Sequence, residues 1–401
     1  MSARVQATAA TSVQAAENAA TTKAVQAHGM GTELVRPDWA PITLEETNLL
    51  FSRYSNIGEA TALVWHSPRP FSSATIAETP DGRLFVKRHH HTIRDVEGLV
   101  EEHLFIRHLR MEGFPVSVIL EGMDGATAYS MDEWTYEVHR LAQGDDLYRD
   151  AVSWSPFQRE AHAYASGVAL ARMHLAAERF DAPARAVRPL VSSFSIFGSS
   201  DPREALSAYI SRRGALSNYL RGRTWERDFE TVLLPFHDRL SPLLPELKPL
   251  WTHNDWHSSN LLWRENEQGT KVASVLDFGL ADRTNAVYDL ATAIERNVID
   301  WLSLHEGKQD GLVAYADLEA LLAGYESVRP LCANEQAALG AMLPIVHAEF
   351  ALSEIDYFAG IVKSAGNADM AYDLFLLGHA EWFRGEHGRE LIGYLRNRSY
   401  R

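Results

Sequence analysis

Apolar and polar positions divide the chain into two unlike stretches. From about residue 36 to 140, short apolar or β-branched runs, TALVWH (61–66), SATIAET (73–79) and RLFVKRH (83–89), are punctuated by Pro68, Pro70 and the Pro80-Asp81-Gly82 turn. That pattern predicts an antiparallel meander. VEGLVEEHLFIRHLRMEG then places Leu99, Leu104, Ile106 and Leu109 near helical spacing and stops at Gly113 and Pro115, a helix with its termination signal. SVILEG and WTYEVHRL are read as two further strands, ending at Gln143-Gly144.

Beyond Gly144 the period lengthens. FQREAHAYASGVALARMHLAAERF and segments 204–221, 225–240, 315–327, 334–362 and 368–396 carry small or apolar residues at three- and four-residue intervals, the mark of packed helices. The exception is 251–278, where KVASVLDFG and the run before it suggest a strand pair on a helical body. The prediction is an α+β chain with a small antiparallel-sheet lobe (36–140) and a larger, mainly helical lobe (141–401). Residues 1–35, rich in Ala and Thr, lack an apolar h-region and an Arg-rich pattern, so a disordered or loosely helical tail is expected rather than a targeting peptide.

Composition narrows the function. At 401 residues, 46% hydrophobic and 23% charged, the chain can bury a large interior as an ordinary globular protein. No apolar run approaches the roughly 18–20 residues of a spanning helix, so no membrane association is expected. Cys332 is the sole cysteine, which excludes an internal disulfide and Cys-based zinc sites and fits a cytoplasmic setting. A formal charge of −15 argues against nucleic acid. The same charge suits steering of a cationic small molecule, though solubility is the simpler reading. A monomer or homodimer is expected.

One constellation carries chemistry. HNDWHSSN (253–260) supplies H-x-D-x-x-x-x-N, and LDFG follows with Asp277 seventeen residues after Asn260. Phosphoryl transfer needs positioning and charge neutralisation more than covalent work by the protein. Asp255 is the candidate base for an acceptor hydroxyl; Asn260 and Asp277 offer the oxygen ligands that magnesium prefers. Each fragment alone is weak, whereas their order, spacing and apolar flanks together are specific.

On these motifs the chain resembles the aminoglycoside phosphotransferase and choline kinase-like superfamily, over about residues 40–395. Its motifs are most similar to homoserine kinase-like members, through LDFGLADRTNAVYDLATAIERNVIDW and LLAGYESVRPLCANEQAAL. The resemblance implies a bilobal protein-kinase-like fold. It also implies transfer from ATP, with GTP as alternative donor, and magnesium to a small-molecule hydroxyl: an aminoglycoside, an amino-alcohol or a homoserine-like amino acid. Lys87 would contact the nucleotide phosphates, paired with Glu102 on the following helix, with Glu97 and Glu101 as alternatives. Adenine would lie against backbone near Arg140 to Ala142. Where protein kinases have a glycine-rich loop this chain has HSPRPFSSA, a departure in which Ser72 and Ser73 would offer hydroxyls and N–H groups to phosphate. His253 and Asp289 are expected to support the catalytic loop, and His257 is read as a loop histidine before a phosphate contact.

Two rival functions fit less well. A protein kinase would carry arginine where Asn254 stands and an APE-like segment after DFG. A pseudokinase scaffold would have lost the base, a metal ligand or the lysine. The run His89-His90-His91 is read as a solvated strand end, because neighbouring strand residues face opposite ways. Glu349, Glu354 and Asp356 are either a wall for an ammonium group or solvated helix-face charges.

Overall fold

The computed structural model describes residues 38–67, 71–191 and 194–398, plus a pairing of Gln26–Ala27 with Leu34–Val35. The rest of the expected tail, and Pro68 to Pro70 of the HSPRPFSSA turn, lie outside the described residues.

Helix α1 (Leu44–Phe51) begins at Thr43, whose hydroxyl and the Glu46 carboxylate cap each other's backbone N–H. It covers one face of a five-stranded antiparallel sheet of order β1-β2-β3-β5-β4, formed by β1 (Ala62–His66), β2 (Ser73–Thr79), β3 (Gly82–His90), β4 (Ala128–Met131) and β5 (Trp134–Arg140). That face is apolar: Leu50, Phe51, Ala77, Leu84, Val86, Tyr136 and Val138 share one cluster. The opposite face, toward helix α2 (Val96–Met111), is not. Alternation along β3 and β5 puts Lys87 opposite Glu137 and His89 opposite Thr135, with His139 two residues on.

SVILEG forms no full strand. Leu120 donates to Val138 (2.8 Å) and Val118 accepts from Arg140 (2.8 Å), but the rest of that edge of β5 is taken by β4, which the sequence pattern did not reveal. Asp132, at φ 52°, makes the tight turn that lets so short a strand pair.

In the larger lobe, α3 (Glu160–Ala177) crosses α5 (Tyr315–Glu326) at backbone contact; a Cβ on Gly167 would sit 2.0 Å from the Leu321 carbonyl oxygen, and one on Gly324 2.1 Å from that of Tyr164. Between these helices in sequence lie two hairpin-like pairs, β6 (Pro249–Thr252) with β9 (Asp282–Asn285) and β7 (Leu261–Asn266) with β8 (Gly269–Val275), then α4 (Ala286–Val298), buried along its whole length. The long run predicted at 334–362 is broken by Pro344 into α6 (Ala333–Met342), a 3-10 turn and α7 (Ala348–Tyr357). Contrary to expectation, the span Ala333–Val362, taken across this break, is long and apolar enough by length and composition to cross a membrane, yet 94% of its most apolar window is buried inside the fold. The cores are unequal: Phe105, Ile106 and Leu109 of α2 belong to the large cluster of the helical lobe.

Candidate active site

The loop His253–Asn260 is held from below. Asp289, fully buried at the start of α4, accepts the backbone N–H of His253 (2.9 Å) and of Asn254 (2.8 Å), and a bond links it to His174 (3.0 Å). Asn254 takes φ 61°, a left-handed conformation that asparagine tolerates better than most residues. His253 bridges two segments: its Nε2 meets the Leu276 carbonyl oxygen at 2.9 Å and its Nδ1 accepts the Asp255 N–H at 3.2 Å. That fixes Nε2 as the protonated nitrogen and ties Asp255 to the residue preceding Asp277.

Asp255, Asn260, Asp277 and Lys87 all line one cleft of about 150 Å³, together with Ser72, Trp154, Arg296, Phe350 and Glu354. The Asn260 side-chain nitrogen donates to Asp255 Oδ2 (3.1 Å) and to its backbone oxygen (3.0 Å), leaving the amide oxygen of Asn260, its Oδ1, to face a cation. Asp277 receives Lys87 Nζ at 3.0 Å and the Gly279 N–H at 3.3 Å, both on Oδ1, so Oδ2 is the second such atom. An amide oxygen and a carboxylate oxygen are hard donors, a set that fits magnesium. Burial opposes ionisation of Asp255, but His257 (3.5 Å) and Arg296 (3.1 Å) outweigh it and hold the carboxyl well below its usual range. Lys87 is likewise kept charged: against its burial stand Asp277, then Glu137 and Glu102.

Several expected contacts fall elsewhere. Glu102 is not the ion partner of Lys87; it is taken by Arg185 (3.3 Å) and Arg94 (3.7 Å), while Lys87 reaches Asp277 instead. Arg185 arrives from after α3 and also binds the Gly98, Gly279 and Ala281 carbonyl oxygens, so two guanidiniums consume the helix carboxylate. Glu101 is engaged by Arg188 at 2.8 Å. The Ser73 hydroxyl is turned away, donating to the Ala40 carbonyl oxygen at 2.8 Å, whereas Ser72 does line the cleft. The Arg140 N–H is spent on Val118, and neither Arg140 nor Ala142 is among the residues that line the cleft.

His89 is buried rather than solvated. It meets Glu137 Oε1 at 3.0 Å, while His103 and His139 meet Oε2 at 2.9 and 2.6 Å. His103 and His139 also reach Thr127 and Ser117 through their Nδ1 atoms (2.9 and 3.0 Å). Three imidazoles thus hold one ionised carboxylate, opposite Lys87 in the sheet. The His103-Glu137-His139 trio has metal-ligand spacing. A dication there would add to Lys87, Arg94 and Arg185, three cations already matched by Glu102, Glu137 and Asp277, so the hydrogen-bonded arrangement is the better-balanced state.

The three acidic residues of α7 are not solvated charges. Glu349 accepts from Ser195 at 2.9 Å, Asp356 from the Leu216 N–H at 2.9 Å, and Glu354 is fully buried on the cleft wall. Arg296 and Trp154 were missed. An arginine in ATAIERNVID has the spacing of any helix charge, and only the tertiary fold turns it to Asp255.

This geometry lies within a known family. A model of the phosphotransferase enzyme family matches residues 72–331, and the chain belongs to that family. A homoserine kinase from Methylobacillus flagellatus is 27% identical over 227 residues, covering 55% of this chain and 59% of that protein. One from Neisseria meningitidis serogroup B is 36% identical over 85 residues, 21% of this chain and 24% of that protein, so the match leaves out much of both relatives. Among solved structures, an amicoumacin kinase in complex with AMP-PNP, Ca2+ and Ami aligns with a TM-score of 0.54 at 14% identity, covering 83% of this chain and 90% of that one. A microcompartment-associated aminopropanol kinase aligns at 0.52 and 15%, covering 85% and 95%. The bilobal α+β fold is the one these kinases share.

Proposed function

We propose that the protein transfers the γ-phosphoryl group of ATP, with magnesium, to a hydroxyl of a small molecule. The observation that carries this reading is the convergence of Asp255, Asn260, Asp277 and Lys87 on one cleft. Asn260 and Asp277 would hold the magnesium, which supplies neutralisation of phosphate charge when bound. Lys87 would meet phosphate oxygens. The acceptor oxygen bonds to the γ-phosphorus as the bond to the bridging oxygen of ADP breaks, and the hydroxyl proton passes to the Asp255 carboxylate. Adenine as the base is supported by the AMP-PNP of the amicoumacin kinase and the ADP of a spectinomycin phosphotransferase with the same fold. The acceptors in view are those named by the relatives: spectinomycin, aminopropanol and homoserine.

Coupled ADP release tests it. Magnesium-dependent release should rise when a hydroxylated acceptor is added, and Asp277→Ala should weaken magnesium-dependent ATP binding in titration calorimetry. Binding that is indifferent to magnesium in the unaltered protein would refute the assignment.

A further inference from the structure

A carboxyl and a guanidinium, Glu354 and Arg296, lie buried in the cleft near Asp255 without pairing with each other. Glu354 is fully buried, lines the cleft, and among the described residues no group hydrogen-bonds either of its carboxylate oxygens. Arg296, 2% exposed, lines the same cleft; it gives one nitrogen to Asp255 at 3.1 Å and has no hydrogen-bond acceptor for its Nε. The two form no ion pair with each other. A buried carboxyl with neither oxygen bonded is costly, and one on the wall of a cleft, beside a guanidinium that is only partly paired with Asp255 and Glu295, calls for a ligand that would satisfy it.

Aromatic rings fix their separation. The Arg296 guanidinium lies 4.2 Å over the Trp154 ring and 5.0 Å from that of Phe350. Trp154 holds this position at φ 66°, a left-handed backbone that is uncommon for a bulky residue and occurs where surrounding structure imposes it. These contacts place the guanidinium against two rings rather than in an ion pair with Glu354.

The geometry points to a zwitterionic acceptor, a hydroxy amino acid whose carboxylate binds Arg296 and whose ammonium binds Glu354, with its hydroxyl presented to Asp255. This rests on the kinase reading and selects among its acceptor classes, because amino-alcohols and aminoglycosides lack the carboxylate. Burial pushes the Glu354 carboxyl well above its usual range, against the opposing pull of Arg296, so an arriving ammonium would ionise it. The acceptor carboxylate, by competing for Arg296, would also loosen the guanidinium's hold on Asp255 and leave the base freer to take a proton.

The test is titration calorimetry on the full chain with magnesium and AMP-PNP present. The probes are L-serine, L-homoserine and L-5-hydroxylysine, each beside its decarboxylated amino-alcohol and its deaminated hydroxy acid, with spectinomycin as the antibiotic arm. At least one amino acid should bind roughly tenfold or more tighter than both of its truncated partners. Glu354→Gln should remove its advantage over the deaminated partner while keeping that over the decarboxylated one. If no amino acid outperforms its truncated partners, or an amino-alcohol or spectinomycin binds as well, the inference is overturned whether or not the variant folds. Failure of AMP-PNP itself to bind would instead sink the kinase reading.

Discussion

At the scale of single residues, Asp255 is the point on which turnover depends. Asp255→Asn should lower the transfer rate by about 10²–10⁴ while leaving ATP affinity nearly intact, since a general base contributes to the chemical step. Unchanged turnover in the ADP-release assay would remove it from the mechanism. Lys87 offers a sharper contrast. Glu137 faces it across the sheet, whereas Glu102 is consumed by Arg94 and Arg185. Glu137→Gln should therefore weaken ATP binding by about tenfold, the loss of one neighbouring negative charge that helps keep Lys87 ionised. Glu102→Gln should chiefly lower the melting temperature, by releasing two buried guanidiniums. The opposite assignment of the two effects would restore the helix glutamate. Which carboxylate faces the lysine was not legible in the sequence. Both obey their local patterns, and the choice is made by Arg185, whose arrival at α2 no short-range rule predicts.

Glu349 links a residue to pH. Burial raises its carboxyl to about 7 from an ordinary 4.5, over the opposing bonds from Ile196 and Ser195. An acid raised in the folded state binds its proton more tightly there than in the unfolded chain. Its stabilising share is thus complete below pH 4.5 and is lost as pH climbs through about 7. Between those limits the wild type should lose up to about 3 kcal/mol more than Glu349→Gln in denaturant unfolding. Parallel profiles for the two proteins would contradict the assignment.

At the scale of elements, the packing of α3 on α5 depends on two glycines. Gly324→Ala places a methyl 2.1 Å from a backbone carbonyl oxygen, which cannot move as a flexible side chain would. Thermal unfolding should show a loss of about 1–3 kcal/mol or more. Gly366→Ala, where a Cβ meets nothing within 4 Å, should instead be neutral or stabilising by up to about 1 kcal/mol. Equal effects at both positions would mean that the helices part to admit the methyl. Elements with a strong period were legible in part: β2 is found at its expected limits and the helices expected at 157–180 and 315–327 fall within a few residues of theirs, whereas 204–221 divides into Pro202–Ser211 and Gly214–Leu220 and 368–396 is interrupted at Gly385. Those decided by competition for an edge were not. Ile119 looks more strand-like than Ala128–Met131, yet the latter adjoins β5 through a tight turn and occupies the edge first. The catalytic loop was legible for the opposite reason, since its groups are brought together over eight residues and one strand pair.

At the scale of the molecule, the boundary near residue 140 separates the chain less cleanly than its composition suggests. Phe105, Ile106 and Leu109 of α2 are buried in the core of the helical lobe. A fragment of residues 38–140 would expose them, at roughly 1.5–3 kcal/mol for each large side chain. That is a large share of what a small domain has to spare. Such a fragment should give a poorly dispersed amide spectrum, and a well-dispersed one would show that the sheet and α1 suffice on their own.

Phe71 sits in the turn before β2, lines the cleft beside Lys87, and packs edge-on against Tyr357 of α7 with ring centroids 5.2 Å apart. Tyr357 in turn donates to Asp38 at 2.7 Å, at the far end of the same lobe's chain. The turn that would cover the phosphates therefore rests on the helix that carries Glu354. Any ligand that shifts one of these surfaces does work on the other, and the coupling must be reciprocal: whatever factor nucleotide imposes on acceptor affinity, acceptor imposes on nucleotide. Affinities measured one ligand at a time would then each omit the same quantity, and the order in which the two are added could not change their sum.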